Sequence, residues 1–354
     1  MGDSSFDMAA PESLFNALDD CIHDRFEPFS VAIAGGSAQA STPGIITLQP
    51  SEPIAGVAPT VISAGVHGNE TAPIELVSQL ARDLDAGRQT LAVPTLIILG
   101  HLPAIAAGQR YLETNLNRLF HRDKAHDGDT VEHRRAVQLM AAVDAFWAEH
   151  GTGDNTGAAS DTSAVALHLD LHTAIRASHY PFFAVEPLSV PATPDYVWRV
   201  LAGAGLQAAV SQYGPSWTFS HYSRHYHHIC GFTLELGRVA SFGCNDLDAL
   251  APMARLLAAR VAGVAPTERP ADRMQFFETD YEVVRHGPDF ELAFADDTPN
   301  FTRFEPGQLI ARDAGYGETR VEDQPAYVVF PNAKVERGAR AALLARAVCP
   351  STTH

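Results

Sequence analysis

Two short apolar runs, Thr60-Val61-Ile62 and Thr95-Leu96-Ile97-Ile98-Leu99, constrain the fold more than any other feature. The second shows no polar alternation, as expected of a strand covered on both faces. Between the runs, Ile74, Val77, Leu80, Ala81 and Leu84 recur at spacings of three and four, which predicts a helix ending near Asp85. Strand, helix and strand in this order define a βαβ-like unit in a covered sheet. The expected fold class is therefore α/β, with a mixed central sheet flanked by helices.

Other segments extend that sheet and its helical layers. Ile45 to Leu48 reads as a short strand, Ser13 to Asp24 as a weak helix and 131–149 as a helix with Val137, Met140, Val143 and Trp147 on one side. Val165 to His172 has period two: Leu167, Leu169 and Leu171 face one way, and His168, Asp170 and His172 the other. Phe232 to Gly237 alternates in the same way and carries Glu235 opposite its apolar side. Helices are expected over about Asp195 to Ala204 and Asp246 to Ala262, the latter capped near Asn245 or Asp246. The Gly-rich stretch 151–163 and the proline-rich stretch 187–195 read as connections, and Ser220 to His228 as a loop with His221, His225, His227 and His228.

Ala265 to Asp272 has the composition of a linker. Beyond it, short strand-like runs at 276–284, 290–294 and 326–330 are separated by Pro, Gly and Asp. We expect a catalytic α/β domain over 1–265 and a smaller C-terminal β domain over 273–354 that walls a pocket. A last segment, Ala339 to Val348, reads as helical.

Composition excludes several classes of function. A net charge of −17 without clustered Lys and Arg argues against nucleic acid. No run of about eighteen apolar residues is present, so no membrane span is expected. The four cysteines are scattered, with no Cys-x-x-Cys, and the first fifteen residues lack the pattern of a secretory signal; a reducing, cytoplasmic setting is the simplest expectation.

The junction between the first strand and helix reads His67-Gly68-Asn69-Glu70. An imidazole and a carboxylate three residues apart suit zinc but do not complete a site. His172, at the end of a strand with one polar face, is the best third ligand, leaving the fourth position for water. Glu235, in an apolar strand, is the candidate base, since burial raises a carboxyl pKa into a useful range. Arg110 and Arg118 bracket a compact loop and can serve as fixed cationic forks, with Asn117 as a neutral donor. Arg176 is a candidate clamp for a second carboxylate, and Asp170 a candidate for orienting a ligand histidine. His168 and the histidine-rich loop are read as structural or pocket-lining.

Five segments carry a resemblance: His67 to Glu75, Arg110 through Asn117-Arg118, Asp170 to Arg176, Thr233 to Gly237, and Val329-Phe330-Pro331-Asn332. Together, and in this order, they resemble the succinylglutamate desuccinylase/aspartoacylase family, a branch of the zinc-carboxypeptidase-like fold, and the desuccinylase branch above all. The resemblance implies one zinc per chain at His67, Glu70 and His172, with Glu235 as base. It implies Arg110 at the substrate carbonyl, and Asn117 with Arg118 at a substrate carboxylate. The activity implied is hydrolysis of the small anionic N-acyl amino acid N2-succinyl-L-glutamate, the last step of a succinyltransferase route of arginine breakdown. A related deacylation, of N-acetylaspartate for example, and a non-catalytic binding protein on the same fold are the alternatives. The reading leaves room for a homo-oligomer. One departure stands out: Asn115 occupies a position where the family often has Asp.

Overall fold

The structure is a computed structural model of the 354-residue chain. It describes residues 11–152, 165–187 and 192–349, so most of the 151–163 connection and residues 188–191 of the proline-rich stretch lie outside the described residues.

The N-terminal half runs α1 (Leu14–Ile22), β1 (Phe29–Ile33), β2 (Gly36–Thr42), β3 (Ile45–Pro50), β4 (Thr60–Ala64), α2 (Thr71–Asp85), β5 (Thr95–Leu99), α3 (Leu102–Ala107) and α4 (Val131–His150). Then come β6 (Leu167–Ala174), β7 (Phe182–Pro187), α5 (Asp195–Gly203), β8 (Ala208–Gln212), α6 (Phe219–His227), β9 (Cys230–Arg238) and α7 (Ala251–Ala262). The C-terminal part is β-rich: β10 (Gln275–Val284), β11 (Glu291–Leu292), β12 (Thr302–Phe304), β13 (Leu309–Asp313), β14 (Gly317–Arg320), β15 (Ala326–Val329) and β16 (Arg340–Val348).

One 13-stranded sheet has the order β1-β2-β3-β5-β4-β6-β9-β7-β8-β10-β16-β15-β12, and β11-β13-β14 form a small second sheet. The middle of the large sheet, β5-β4-β6-β9, is parallel, and β7 joins β9 antiparallel. This is the expected mixed α/β architecture. Helices cover both faces of the sheet. Ile62, Ile97, Leu169 and Leu234 pack with α1, α2, α5 and α7 in one cluster. Val61, Leu96 and Ile98 pack with Phe146 of α4 and Phe219 and Tyr222 of α6 in another. Alternate residues of a strand serve opposite layers, so the strands read as unbroken apolar runs.

β10 links the two parts of the molecule. Its first residues pair parallel with β8 in the central sheet, and its whole length pairs antiparallel with β16. The C-terminal β domain is therefore continuous with the sheet that carries the site.

Three local expectations are corrected. Residues 219–227 form α6 and not a loop: Thr218 caps it by accepting the His221 N–H, and Phe219 and Tyr222 give it an apolar face. The helix expected from Asp246 begins at Ala251, where Pro252 occupies the first turn; the preceding residues form turns, with Asp246 Oδ1 accepting from Ala249 N. The segment expected to end the chain as a helix is strand β16. Its Ala-Ala-Leu-Leu-Ala core favours helix intrinsically, but pairing with β10 on one side and β15 on the other overrides that preference.

Leu343 and Leu344 of β16 are both buried and belong to different apolar clusters, on opposite faces of the strand. Each Leu→Ala substitution is expected to cost about 2–5 kcal/mol in denaturant unfolding. Loss of less than about 1 kcal/mol at both positions would contradict the two-sided burial of this strand.

Candidate metal centre and the groups around it

His67 and Glu70 lie in the turn between β4 and α2, and His172 lies near the end of the adjacent parallel strand β6. Gly65 opens the turn with φ +66°, and Gly68 lets it press against α3. A Cβ on Gly68 would stand 2.1 Å from the backbone carbon of Ala104, a distance no side chain tolerates. The Gly68 N–H donates to Arg110 O (3.1 Å), tying the turn to the arginine-bearing loop.

These three side chains converge. His67, Glu70 and His172 are all buried, and one ligand atom from each lies within 4.8 Å of the others. His67 Nδ1 is 2.9 Å from Glu70 Oε1, and His172 Nδ1 is 2.9 Å from Glu70 Oε2. Arg110 Nη1 donates to Glu70 Oε1 (2.6 Å), and Thr173 N donates to Oε2 (3.0 Å). Burial opposes ionisation, yet the His67 and His172 imidazoles hold the Glu70 carboxyl well below the usual range.

The donor set fits a metal cation. Burial first, and the Arg110 charge second, bring the His67 pKa down to about 4, so the ring is neutral at pH 7 and able to donate a lone pair. Its far nitrogen, Nε2, is 3.0 Å from Asn115 Oδ1, which leaves Nδ1 facing the cluster. His172 is arranged alike: Nε2 is 2.9 Å from Asp170 Oδ2, and Nδ1 faces Glu70. Burial disfavours a charged His172, yet Asp170 and Glu70 outweigh it and raise its pKa well above the ordinary value. A metal cation would take the place of that proton. Ligands at about 2.0–2.2 Å in a tetrahedron stand about 3.4 Å apart, so only a small adjustment of the cluster is needed.

Asp170 is itself held by a buried chain of hydrogen bonds. Ser63 Oγ donates to Asp170 Oδ1 (2.6 Å) and lies 2.9 Å from His168 Nε2; His168 Nδ1 lies 2.7 Å from Ser223 Oγ on α6. Because Ser63 gives its proton to Asp170, it accepts from His168 Nε2, and His168 Nδ1 then accepts from Ser223. His168 thus works as a structural link, as expected.

Glu235 sits opposite His172 in the β6–β9 register. It is buried, and its Oε2 has no hydrogen-bond partner among the described residues. Burial, and next the Glu70 charge, raise its pKa to about 7, where a carboxyl can both accept and release a proton near neutrality.

The loop 110–118 is organised by a residue that sequence reasoning missed. Glu132, in the first turn of α4, accepts from Leu112 N (2.9 Å) and Glu113 N (3.0 Å), and its Oε1 is 2.9 Å from His101 Nε2. Its only sequence signal is an acidic residue at a helix start, a common feature. Asn115 Oδ1 also accepts from Asn117 N (3.1 Å), so the amide retains the acceptor function of an Asp there, without its charge. Asn117 Oδ1 accepts from Phe219 N (2.9 Å), which turns its amide nitrogen toward His172. Arg118 is exposed, and its guanidinium makes one hydrogen bond among the described residues, to Asn117 O (2.7 Å). Arg176, just beyond β6, is half-buried and makes no hydrogen bond or ion pair among the described residues.

The sheet, the buried His-Glu-His cluster that could hold a metal ion and the solitary carboxyl beside it fit a hydrolase. The chain belongs to the succinylglutamate desuccinylase/aspartoacylase family. The family profile for the succinylglutamate desuccinylase/aspartoacylase catalytic domain matches residues 57–260, and that for the family's barrel-sandwich hybrid domain matches 272–348. The chain is 38% identical over 287 residues to the succinylglutamate desuccinylase of Serratia proteamaculans, covering 80% of this chain and 83% of that one. To the enzyme of that name from Yersinia pseudotuberculosis it is 37% identical over 308 residues, 87% of this chain and 89% of that one. The crystal structure of succinylglutamate desuccinylase from Vibrio cholerae superposes with a TM-score of 0.83 at 32% identity, covering 96% of this chain and 95% of that one. The chain is thus an enzyme that hydrolyses an amide, and among its described residues no helix is long and apolar enough to cross a membrane.

Two outcomes follow from this geometry. Gly68→Ala is expected to push the His67–Glu70 turn off Ala104 and weaken metal binding by about tenfold or more, measured by competition with a chromophoric chelator; unchanged affinity would show that the turn tolerates the displacement. Glu235→Gln is expected to alter the pH dependence of stability in metal-free protein. The folded pKa of about 7 lies above the unfolded value near 4.3, so the stabilising contribution of neutral Glu235 is complete below about pH 4.3 and lost as pH rises through 7. The Gln variant should gain on wild type between pH 5 and 8.5 by on the order of 2–3 kcal/mol in urea unfolding, and a pH-independent difference would contradict the raised pKa.

Proposed function

We propose that this enzyme hydrolyses N2-succinyl-L-glutamate to succinate and L-glutamate, with one zinc held by His67, Glu70 and His172. The observation that carries the reading is the pairing of that three-ligand cluster with Glu235, a buried carboxyl whose Oε2 is unpartnered among the described residues. A bound zinc supplies Lewis-acid polarisation of the carbonyl and a water of pKa about 7. The names and near-complete coverage of the relatives support the choice of substrate.

In this reading Glu235 accepts a proton from the attacking water and returns it to the amide nitrogen as the C–N bond breaks. Its pKa of about 7 suits both transfers. Arg110, fixed against Glu70 by one Nη, presents its remaining N–H groups to the carbonyl oxygen as negative charge builds there. Arg118 and the Asn117 amide hold a substrate carboxylate, and Arg176 is the candidate for a second. Asp170 and Asn115 keep the two ligand histidines in the tautomer whose Nδ1 faces the cluster. In the same reading the reaction is the last step of a succinyltransferase route of arginine breakdown, as the family resemblance implies.

The test is a panel of N-succinylglutamate, N-acetylaspartate and N-acetylglutamate, hydrolysed by the zinc-supplemented enzyme. The expected result is a kcat/KM at least about a hundredfold higher for the succinyl substrate. Preference for either acetyl substrate would overturn the assignment.

A further inference from the structure

Of the five segments that carry the family resemblance, Val329-Phe330-Pro331-Asn332 has no part in the chemistry described above. Its partner in the structure is Asn300, which is 1% exposed and lies two residues before β12. Phe330 has a left-handed backbone, with φ +54°, and donates its N–H to Asn300 Oδ1 (2.8 Å). Phe301, the neighbour of Asn300, is left-handed too, at φ +64°, and donates its N–H to Val328 O (2.7 Å). A side chain with a Cβ is disfavoured in that region. Two such residues around one buried amide mark a place where the surrounding contacts override local preference.

The main chain of Asn300 reaches the other way, to the segment after β6. Asn300 N donates to Ala177 O (2.9 Å), and Asn300 O accepts from His179 N (3.1 Å). Ala174 O accepts from Val239 N, and Pro181 O accepts from Gly237 N. Between those two anchors, the bonds to Asn300 are the only backbone–backbone hydrogen bonds, among the described residues, that join residues 175–180 to the rest of the molecule. Arg176 sits in this stretch, next to Ala177, and its side chain makes no hydrogen bond or ion pair among the described residues. Its guanidinium is therefore placed by its backbone, and that backbone is placed by Asn300. The attachment is also fixed relative to Glu235. The rings of Phe301 and Phe330 meet that of Phe183, with centroids 5.0 and 5.7 Å away, and Phe183 is fully buried and the register partner of Glu235.

We propose that Asn300 is a positioning residue: bonded to Ala177 and His179 on one side and to Phe330 on the other, it fixes the segment that carries Arg176 and so sets Arg176 on the substrate. The proposal rests on the reading of Arg176 as the holder of a substrate carboxylate. Truncating the Asn300 side chain leaves the Phe330 N–H without its acceptor and frees the left-handed turn to relax. The 175–180 segment then loses its rigid backing. Arg176 keeps its charge but must be ordered by the substrate, a cost that falls on binding more than on the chemical step.

The test is a double-mutant cycle in the zinc-supplemented enzyme: wild type, Asn300→Ala, Arg176→Ala and the double variant, each assayed on N-succinylglutamate. Asn300→Ala is expected to raise KM by about tenfold with kcat within about threefold. In the Arg176→Ala background the same substitution should change KM by less than about twofold. Asn300→Ser, whose hydroxyl falls short of Phe330 N, is read in the same cycle if the Ala chain does not fold. An unchanged KM in the Asn300 variant, or an equal loss in both backgrounds, would overturn the proposal and leave Asn300 a structural link between the domains. Failure of the Arg176 reading is seen separately, as an Arg176→Ala single variant whose KM stays within about twofold of wild type, and the proposal falls with it. Failure of the substrate reading appears as a wild type that ignores N-succinylglutamate; the cycle is then run on the acyl amino acid that is hydrolysed, with the same outcomes.

Discussion

The Glu70 carboxylate is the contact on which the rest of the site depends. It is buried and meets two imidazoles, a guanidinium and a backbone N–H at once. An ionised carboxylate so far from water survives only because each oxygen is matched. Those partners come from the β4–α2 turn, the 110–118 loop and β6, so satisfying one charge fixes three segments relative to one another. The same convergence brings His67 Nδ1 and His172 Nδ1 to the two oxygens of Glu70, the arrangement a cation needs.

The sheet explains why so short a list of residues can do this. β4, β6 and β9 run parallel as neighbours, so the turn after β4 and the last residues of β6 and β9 meet at one end. His172 and Glu235 are register partners, which sets the proposed ligand beside the proposed base without any loop between them. Behind them, Ser223 donates to His168, His168 to Ser63 and Ser63 to Asp170, whose other carboxylate oxygen accepts from His172. This polar chain lies buried against α6, where burial lowers the His168 pKa to about 4 and keeps it neutral. The C-terminal domain is continuous with this sheet through β10.

Much of this was legible in the residues. Period two in 165–172 identified both faces of β6, and the one acidic residue inside the apolar run of β9 identified Glu235, because those signals are local and strong. The strands β1, β2, β7 and β8 went unread. They are short, and β2 and β8 are rich in Gly, Ala, Ser and Gln, residues with little strand preference of their own. Strand β16 and helix α6 were misassigned because pairing and packing, not intrinsic preference, decide both. Glu132 illustrates a further limit: it owes its role to His101, Leu112 and Glu113, 31, 20 and 19 residues earlier, and no spacing encodes that. His172 and Glu235, 102 and 165 residues past Glu70, were chosen on residue type and strand position, and the family resemblance implies the same set.

The account makes the His67–Glu70–His172 cluster a working metal centre, and the most direct test is the metal content of the purified enzyme followed through chelation. The account predicts about one zinc per chain, loss of hydrolysis in step with its removal, and return of both when zinc is added back. A chain that is free of metal and fully active would contradict it.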